Sequence, residues 1–200
     1  MKKFELTIVL TLIISMLLGI CSFKSFASNC DNIRGEVLRL HILANSDSDE
    51  DQSLKLKVRD AVLLEGADIF DGAGNLDEAE NSIKCQLDAI KKIAEKTIVE
   101  NGCNYCVKVE LSNEYFNTRT YDNITLPAGN YNALRIIIGE GAGHNWWCVM
   151  FPPMCLPAAE SKADIEDVLK NGEIKVVKSN PKYDVRFKII EIIEEYKSKK

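Results

Sequence analysis

The chain has 200 residues, of which 46% are apolar and five are proline, and it carries a formal charge of −5. Apolar content on that scale can build a core, so disorder and a collagen repeat are excluded. A net negative chain is poorly suited to neutralising phosphates, and nucleic acid is not an expected partner.

Lys2 and Lys3 precede an apolar run from Leu6 to Ile20, and Ser22, Lys24 and Ser25 follow it. This is the layout of a secretory signal peptide. The run is shorter than the roughly 20 residues of a comfortable bilayer span. Ser25 and Ala27 place small residues at the two positions a signal peptidase reads, which predicts cleavage after Ala27. The expected organisation is a signal peptide over residues 1–27, the only part to meet a membrane, and one exported domain over residues 28–200. An uncleaved anchor is the alternative. Cys21 follows Ile20 where lipid attachment needs a small residue, so lipidation is not expected. Without residues 1–27 the chain keeps 22 bases against 29 acids, a charge of −7. Six cysteines remain, at 30, 85, 103, 106, 148 and 155, an even number that permits disulfides outside the cytoplasm.

Glu36 to Leu43 alternates as a strand, with Leu38, Leu40 and Ile42 on one face. Short polar side chains at Asn45 to Ser48 break it, and Ser48 with Asp51 resembles a capping box. The helix that follows, Asp49 to Glu65, repeats Leu54, Val58, Ala61 and Val62 on one stripe and ends at Gly66. Its first-turn acids suit the positive end of the helix dipole. Asp47, Asp49 and Asp51 have the early spacing of a calcium loop, but no glycine follows.

After a loop at Asp71 to Asn75, Leu76 to Val99 reads as a longer helix with Ile83, Leu87, Ile90, Ala94 and Ile98 aligned, stopped by a left-handed cap at Asn101-Gly102. From Cys103 the period becomes two. Strands are predicted from Tyr105 to Leu111, Tyr115 to Tyr121, Tyr131 to Ile138 and Trp146 to Phe151, where Pro152-Pro153 closes the last. A short helix is expected over Ala163 to Lys170, ending at Asn171-Gly172, and a final one over Tyr183 to Lys197. The order predicts an α+β domain with a mainly antiparallel sheet and helices packed on it.

Residues 139–143, Gly-Glu-Gly-Ala-Gly, follow a strand as a phosphate loop would, but the glycines alternate and two tryptophans stand where a helix should open. A connection between strands is the better account. His144 and Cys148 offer a base and a thiol, yet on a strand they stand about 13 Å apart at ~3.3 Å per residue. His41 is the other histidine, and no nucleophile signature surrounds either. Cys103 and Cys106 have the spacing of half a zinc site or a redox pair, without the second half and at the start of a strand instead of a helix. A turn at the prolines can bring Cys148 and Cys155 within disulfide reach, the alternative being two buried thiols. Trp146 and Trp147, adjacent on a strand, point to opposite faces, which makes one of them core and the other a candidate contact. No paired carboxylates, serine elbow or metal cluster emerges, so no catalytic, cofactor or metal residue is expected.

Two stretches carry a family resemblance: LRLHILANSDS (38–48) leading into DQSLKLKVRDAVL (51–63), and LPAGNYNALRIIIGEGAGHNWWCVMFPPMC (126–155). They resemble the stage II sporulation protein R family, with similarity from about Gly35 to the final helix. The segment around Phe70 to Asn104, with Cys85 and the Cys103/Cys106 pair, lies outside the pattern, so the resemblance implies no role for those cysteines.

It implies a signalling protein and not an enzyme, made in the forespore and exported into the space between the forespore and mother-cell membranes. There it would activate a membrane-embedded aspartic protease, stage II sporulation protein GA, that processes pro-sigma-E. The expected contact region is Gly139 to Phe151, with Gly141, Gly143, His144, Trp146 and Trp147 as candidate contacts. The rival expectations are a secreted enzyme using a cysteine such as Cys148 and a cell-wall-binding module.

Overall fold

The computed structural model describes residues 2–65, 73–121, 124–152, 168–178 and 184–199. The elements are α1 (Lys2–Glu36), β1 (Leu38–Leu43), α2 (Asp49–Glu65), α3 (Leu76–Glu100), β2 (Val107–Phe116), β3 (Arg119–Tyr121), β4 (Ile124–Leu126), β5 (Gly129–Ile138), β6 (Asn145–Phe151), α4 (Asn171–Val177) and α5 (Asp184–Ser198). The fold is α+β, as the order of patterns predicts, and the chain divides into two compact units.

The larger unit, residues 35–116 with 130–170, holds a four-stranded sheet in the order β2-β5-β1-β6. The sheet is mixed. β1 runs parallel to β5, with Leu40 opposite Leu134 and Ile42 opposite Ile136, and antiparallel to β6, with Leu40 opposite Cys148 and His41 opposite Trp147. β2 is antiparallel to β5, because the Gly139 amide donates to the Cys106 carbonyl (2.9 Å) while Asn113 meets Asn132 (2.8 Å). A parallel neighbour needs a crossover of a dozen residues or more. Here α2, α3 and β2 supply it.

Pleating sends Leu38, Leu40 and Ile42 to one face, where they join Leu134, Ile136 and Ile138 of β5 and the stripes of α2 (Leu54, Val58, Val62) and α3 (Ile83, Ile90, Ala94, Ile98) in one core. All six residues of β1 are buried, although the alternation alone reads as one apolar and one mixed face. A central strand has both faces covered, so its polar residues are enclosed as well.

Helix ends behave as their residues require. The Ser48 hydroxyl accepts from the Asp51 amide (3.2 Å), and the Asn75 side chain accepts from the Glu78 amide (2.9 Å). At the other end of α3, Gly102 N donates to Val99 O (3.0 Å) and Cys103 N to Ile98 O (3.1 Å), which closes the expected left-handed cap.

The smaller unit, residues 1–34, 117–129 and 171–200, contains α1, α4, α5 and the hairpin β3–β4. Here the structure departs from the expected elements. The helix that holds the apolar run continues without a break to Glu36, so β1 begins at Leu38 and not at the expected Glu36. The predicted strand Tyr115 to Tyr121 is two: its first residues finish β2, and β3 pairs with β4, which the alternation missed because three-residue strands carry almost no period. Asn171-Gly172 also opens a further helix, α4, since both residue types suit a helix start as well as a stop. The helix expected over Ala163 to Lys170 lies almost entirely outside the described residues, and α5 matches the predicted C-terminal helix to within one residue at each end.

Candidate functional site

The two stretches that carry the family resemblance meet in space at one end of the sheet. The turn after β1 and the first turn of α2, residues 44–52, form one wall. The loop between β5 and β6, residues 139–144, lies against it. Ala142 N donates to Asn45 O (3.2 Å), Gly143 N to Ala44 O (3.0 Å), and Glu140 N to Asn45 Oδ1 (3.1 Å). Glycine is required at two contacts. Gly139 has φ +57°, and a Cβ on it would fall 2.2 Å from Asn45 Oδ1; a Cβ on Gly143 would fall 2.1 Å from the Ser46 carbonyl oxygen. The glycines at 139 and 143 therefore let the loop rest directly on the turn after β1, Gly139 against the Asn45 side chain and Gly143 against the Ser46 backbone.

Asp51 holds the first wall together. Its carboxylate accepts from the Ser46 hydroxyl (2.5 Å) and the Asn45 amide (2.8 Å). The Ser46 hydroxyl is the largest influence holding this buried carboxyl below the usual range, with Asn45 and Tyr105 adding to it and burial opposing. A group whose pKa is lower folded than unfolded stabilises in full above the unfolded value and loses that contribution as pH falls through the folded one. Asp51→Asn is therefore expected to cost about 1–3 kcal/mol at pH 7, and the gap to wild type to shrink as pH drops below the unfolded value of about 3.9. Urea melts of both proteins at pH 7 and at pH 3 check this.

Lys55, buried on α2, ties α2 to the start of β6: its ammonium donates to Gln52 Oε1 (2.6 Å) and to the His144 carbonyl (2.9 Å). Burial pushes its pKa down. What this scaffold presents outward is His144, whose side chain is 80% exposed. Its amide donates to Asp47 Oδ1 (2.5 Å), and its ring Nδ1 lies 2.5 Å from the same oxygen. The His144 amide, and then its ring, hold the Asp47 carboxyl below the usual range. With Nδ1 engaged by Asp47, the ring is oriented and Nε2 is the nitrogen left for a partner. Sequence reasoning weighed His144 as a base and Asp47 as a calcium-loop acid but did not join them, because 97 positions separate them and nothing in the spacing links them.

The candidate contacts are thus distributed. Gly141 and Gly143 belong to the docked loop and His144 to its exposed end, whereas both indoles are half-buried. Trp146 lies on the helical side of the sheet, with the Arg59 guanidinium 4.9 Å from its ring centroid. Trp147 lies on the opposite face, 5.7 Å from His41 and 6.4 Å from Phe116. That face carries a second polar group. His41 Nδ1 is 2.5 Å from Glu114 Oε2, and Glu114 also takes the Ser112 hydroxyl (2.9 Å) and pairs with Arg135 (3.1 Å). Burial, the largest influence, pushes the His41 imidazole below its ordinary range against the pull of Glu114. Beside it the buried Arg39 guanidinium sits 4.1 Å from the Phe116 ring centroid and 5.0 Å from that of Tyr131.

The cysteines among the described residues fall into two states. Cys148 is disulfide-bonded, so its sulfur has no thiolate to offer as a nucleophile. Its expected partner Cys155 lies outside the described residues. Cys21, Cys30, Cys85, Cys103 and Cys106 are free thiols. Among the described residues, no three His, Cys, Asp or Glu side chains gather as a metal set.

The sequence matches the family described as stage II sporulation protein R (spore_II_R) over residues 34–161. It is 44% identical, over 123 residues, to "Stage II sporulation protein R" of Bacillus subtilis (strain 168). That alignment takes in 62% of this chain and 55% of the relative, so the chain spans about half the length of the curated protein it matches. No solved structure matches. Both walls of the loop contact fall inside the matched residues.

Proposed function

Because the chain belongs to the stage II sporulation protein R family, we propose that it is an exported messenger of endospore formation and not an enzyme. In this reading it is made in the forespore and delivered into the space between the two membranes. There it activates the membrane-embedded aspartic protease, stage II sporulation protein GA, that processes pro-sigma-E in the mother cell.

The apolar N-terminal helix supports export. The observation that carries a docking role is the pair of knitted loops, which hold an exposed His144–Asp47 pair in one orientation without burying it. A group fixed before encounter loses less entropy on binding than one that must be ordered.

A messenger can switch a protease only through its differential affinity for the active state. Moving a 1:99 equilibrium to 99:1 takes about 10⁴-fold tighter binding to that state. Aspartic proteolysis needs two carboxylates sharing one proton, so the state the messenger favours is one in which the catalytic pair is assembled. His144, Asp47 and the loop between β5 and β6 are the surface assigned to that contact.

The test is reconstitution of the full chain with the protease and pro-sigma-E in liposomes, scoring cleavage. Cleavage that depends on the chain supports the reading, and equal cleavage with and without it removes the reading. His144→Ala is expected to raise the dose for half-maximal cleavage about tenfold or more, as loss of a central contact does, while the melting temperature stays within a degree or two of wild type. An unchanged dose response would place the contact elsewhere.

A further inference from the structure

We infer that α1 is retained in the mature protein as a membrane anchor whose outer half is built into the folded smaller unit. The inference does not depend on what the protein activates.

The helix changes character at Ser22. Before it, the apolar side chains are exposed on every side: Phe4, Leu10, Met16 and Leu18, at 72%, 56%, 69% and 66%, point in different directions. A helix apolar all round belongs in lipid. Residues 6–23 reach about 27 Å at 1.5 Å per residue, against about 30 Å of hydrocarbon, a mismatch that a bilayer absorbs by slight thinning. Two hydroxyls within this stretch are satisfied inside the helix, Thr7 donating to Lys3 O (2.9 Å) and Thr11 to Thr7 O (2.7 Å), as hydrocarbon requires. Lys2 and Lys3 mark the cytoplasmic end, and Lys24 reaches water at the other.

After Ser22 the same helix is amphipathic. Phe26, Cys30 and Ile33 are buried at 3%, 0% and 0% exposure. The Phe26 ring meets Phe187 of α5 edge-on at 5.4 Å, and Arg186 donates to the Ser22 hydroxyl (3.4 Å). Further along, Arg34 donates to Ala128 O (2.7 Å) and pairs with Glu194 (3.8 Å). Cleavage after Ala27 would remove Ser22 and Phe26 from this packing. Burial alone is no protection, because a signal peptidase acts while the chain emerges, before it folds. What matters is that proteases read extended substrates, and residues 20–34 contain no proline or glycine to break the helix through the Ser25-Phe26-Ala27 site.

The full chain, expressed with its own N terminus in an endospore-forming bacterium, is to be fractionated and its intact mass measured. The expected result is a chain still carrying residues 2–27, in membranes and resistant to alkaline carbonate. A soluble chain beginning at Ser28 would overturn the inference. Ser22→Pro, at an exposed position, breaks the helix just before the site and is expected to convert the anchor into a cleaved leader, releasing the domain. If Ser22→Pro is retained as fully as wild type, continuity of the helix is not what spares the site, and that part of the inference is overturned.

Discussion

Replacing Gly143 with alanine is expected to abolish most signalling while leaving a folded protein. The added Cβ would sit 2.1 Å from the Ser46 carbonyl oxygen and 2.4 Å from its carbon. Both are backbone atoms of the opposing wall, so no side chain can swing away to make room. The loop must lift by about 1 Å to restore ordinary contact, and overpacking of this kind costs about 1–3 kcal/mol. Lifting also strains the bonds from Gly143 N to Ala44 O and from Ala142 N to Asn45 O, along with the His144 amide on Asp47. Each is worth about 0.5–1.5 kcal/mol net, so the total loss is expected at about 2–4 kcal/mol. The larger consequence is positional, because His144 loses the support that orients it toward Asp47. Pro-sigma-E processing in the liposome assay, or in sporulating cells carrying the variant, should fall about tenfold or more. Gly35→Ala is the control: a Cβ there meets nothing within 4 Å. Equal signalling by the two variants would show that the loop contact does not matter for activity.

Leu40→Ala is expected to be the most destabilising single truncation in the sheet. Leu40 is fully buried at the centre of β1, between Leu134 of β5 and Cys148 of β6, on the face that α2 and α3 cover. A central strand flanked on both sides cannot shift to fill a void, so the cavity term adds in full to the lost transfer energy. The expected loss is about 3–5 kcal/mol, at the upper part of the range for such truncations. That is a large part of the total stability of about 5–15 kcal/mol typical of domains. Chemical denaturation should show a lower midpoint with an unchanged slope. A loss under about 1 kcal/mol would mean that the helices re-pack around the site more freely than the closed core implies. Leu64→Ala, at an exposed position on α2, should change stability little.

The apolar periods of α2, α3 and α5 were legible in the chain because an amphipathic helix writes its buried face at every third or fourth position. Leu54, Val58, Ile83, Ile90 and Ile98 are buried where their spacing places them. The strands of the sheet were legible for the same reason with period two, as were the caps at Ser48 and Asn101-Gly102. Recognition of the family likewise rested on two long stretches of sequence alone. The short strands β3 and β4 were not legible, since three residues hold too little pattern. Nor was the continuation of α1 past Ala27: the cleavage motif and the buried stripe of Phe26, Cys30 and Ile33 overlap at Phe26, and the stripe has its meaning only where α1 packs against Phe187.

Local composition determined which segments become helix or strand, which faces are apolar, and that an apolar N-terminal segment precedes the rest. Tertiary structure alone decided that β1 pairs parallel with β5 and that Asp47 meets His144. It also decided that both indoles are half-buried and that the glycine-rich loop packs against the turn after β1. The reason is range: periodicity and capping act over a few residues, whereas strand pairing and loop contact join positions about a hundred apart, whose complementarity exists only once the chain has closed on itself.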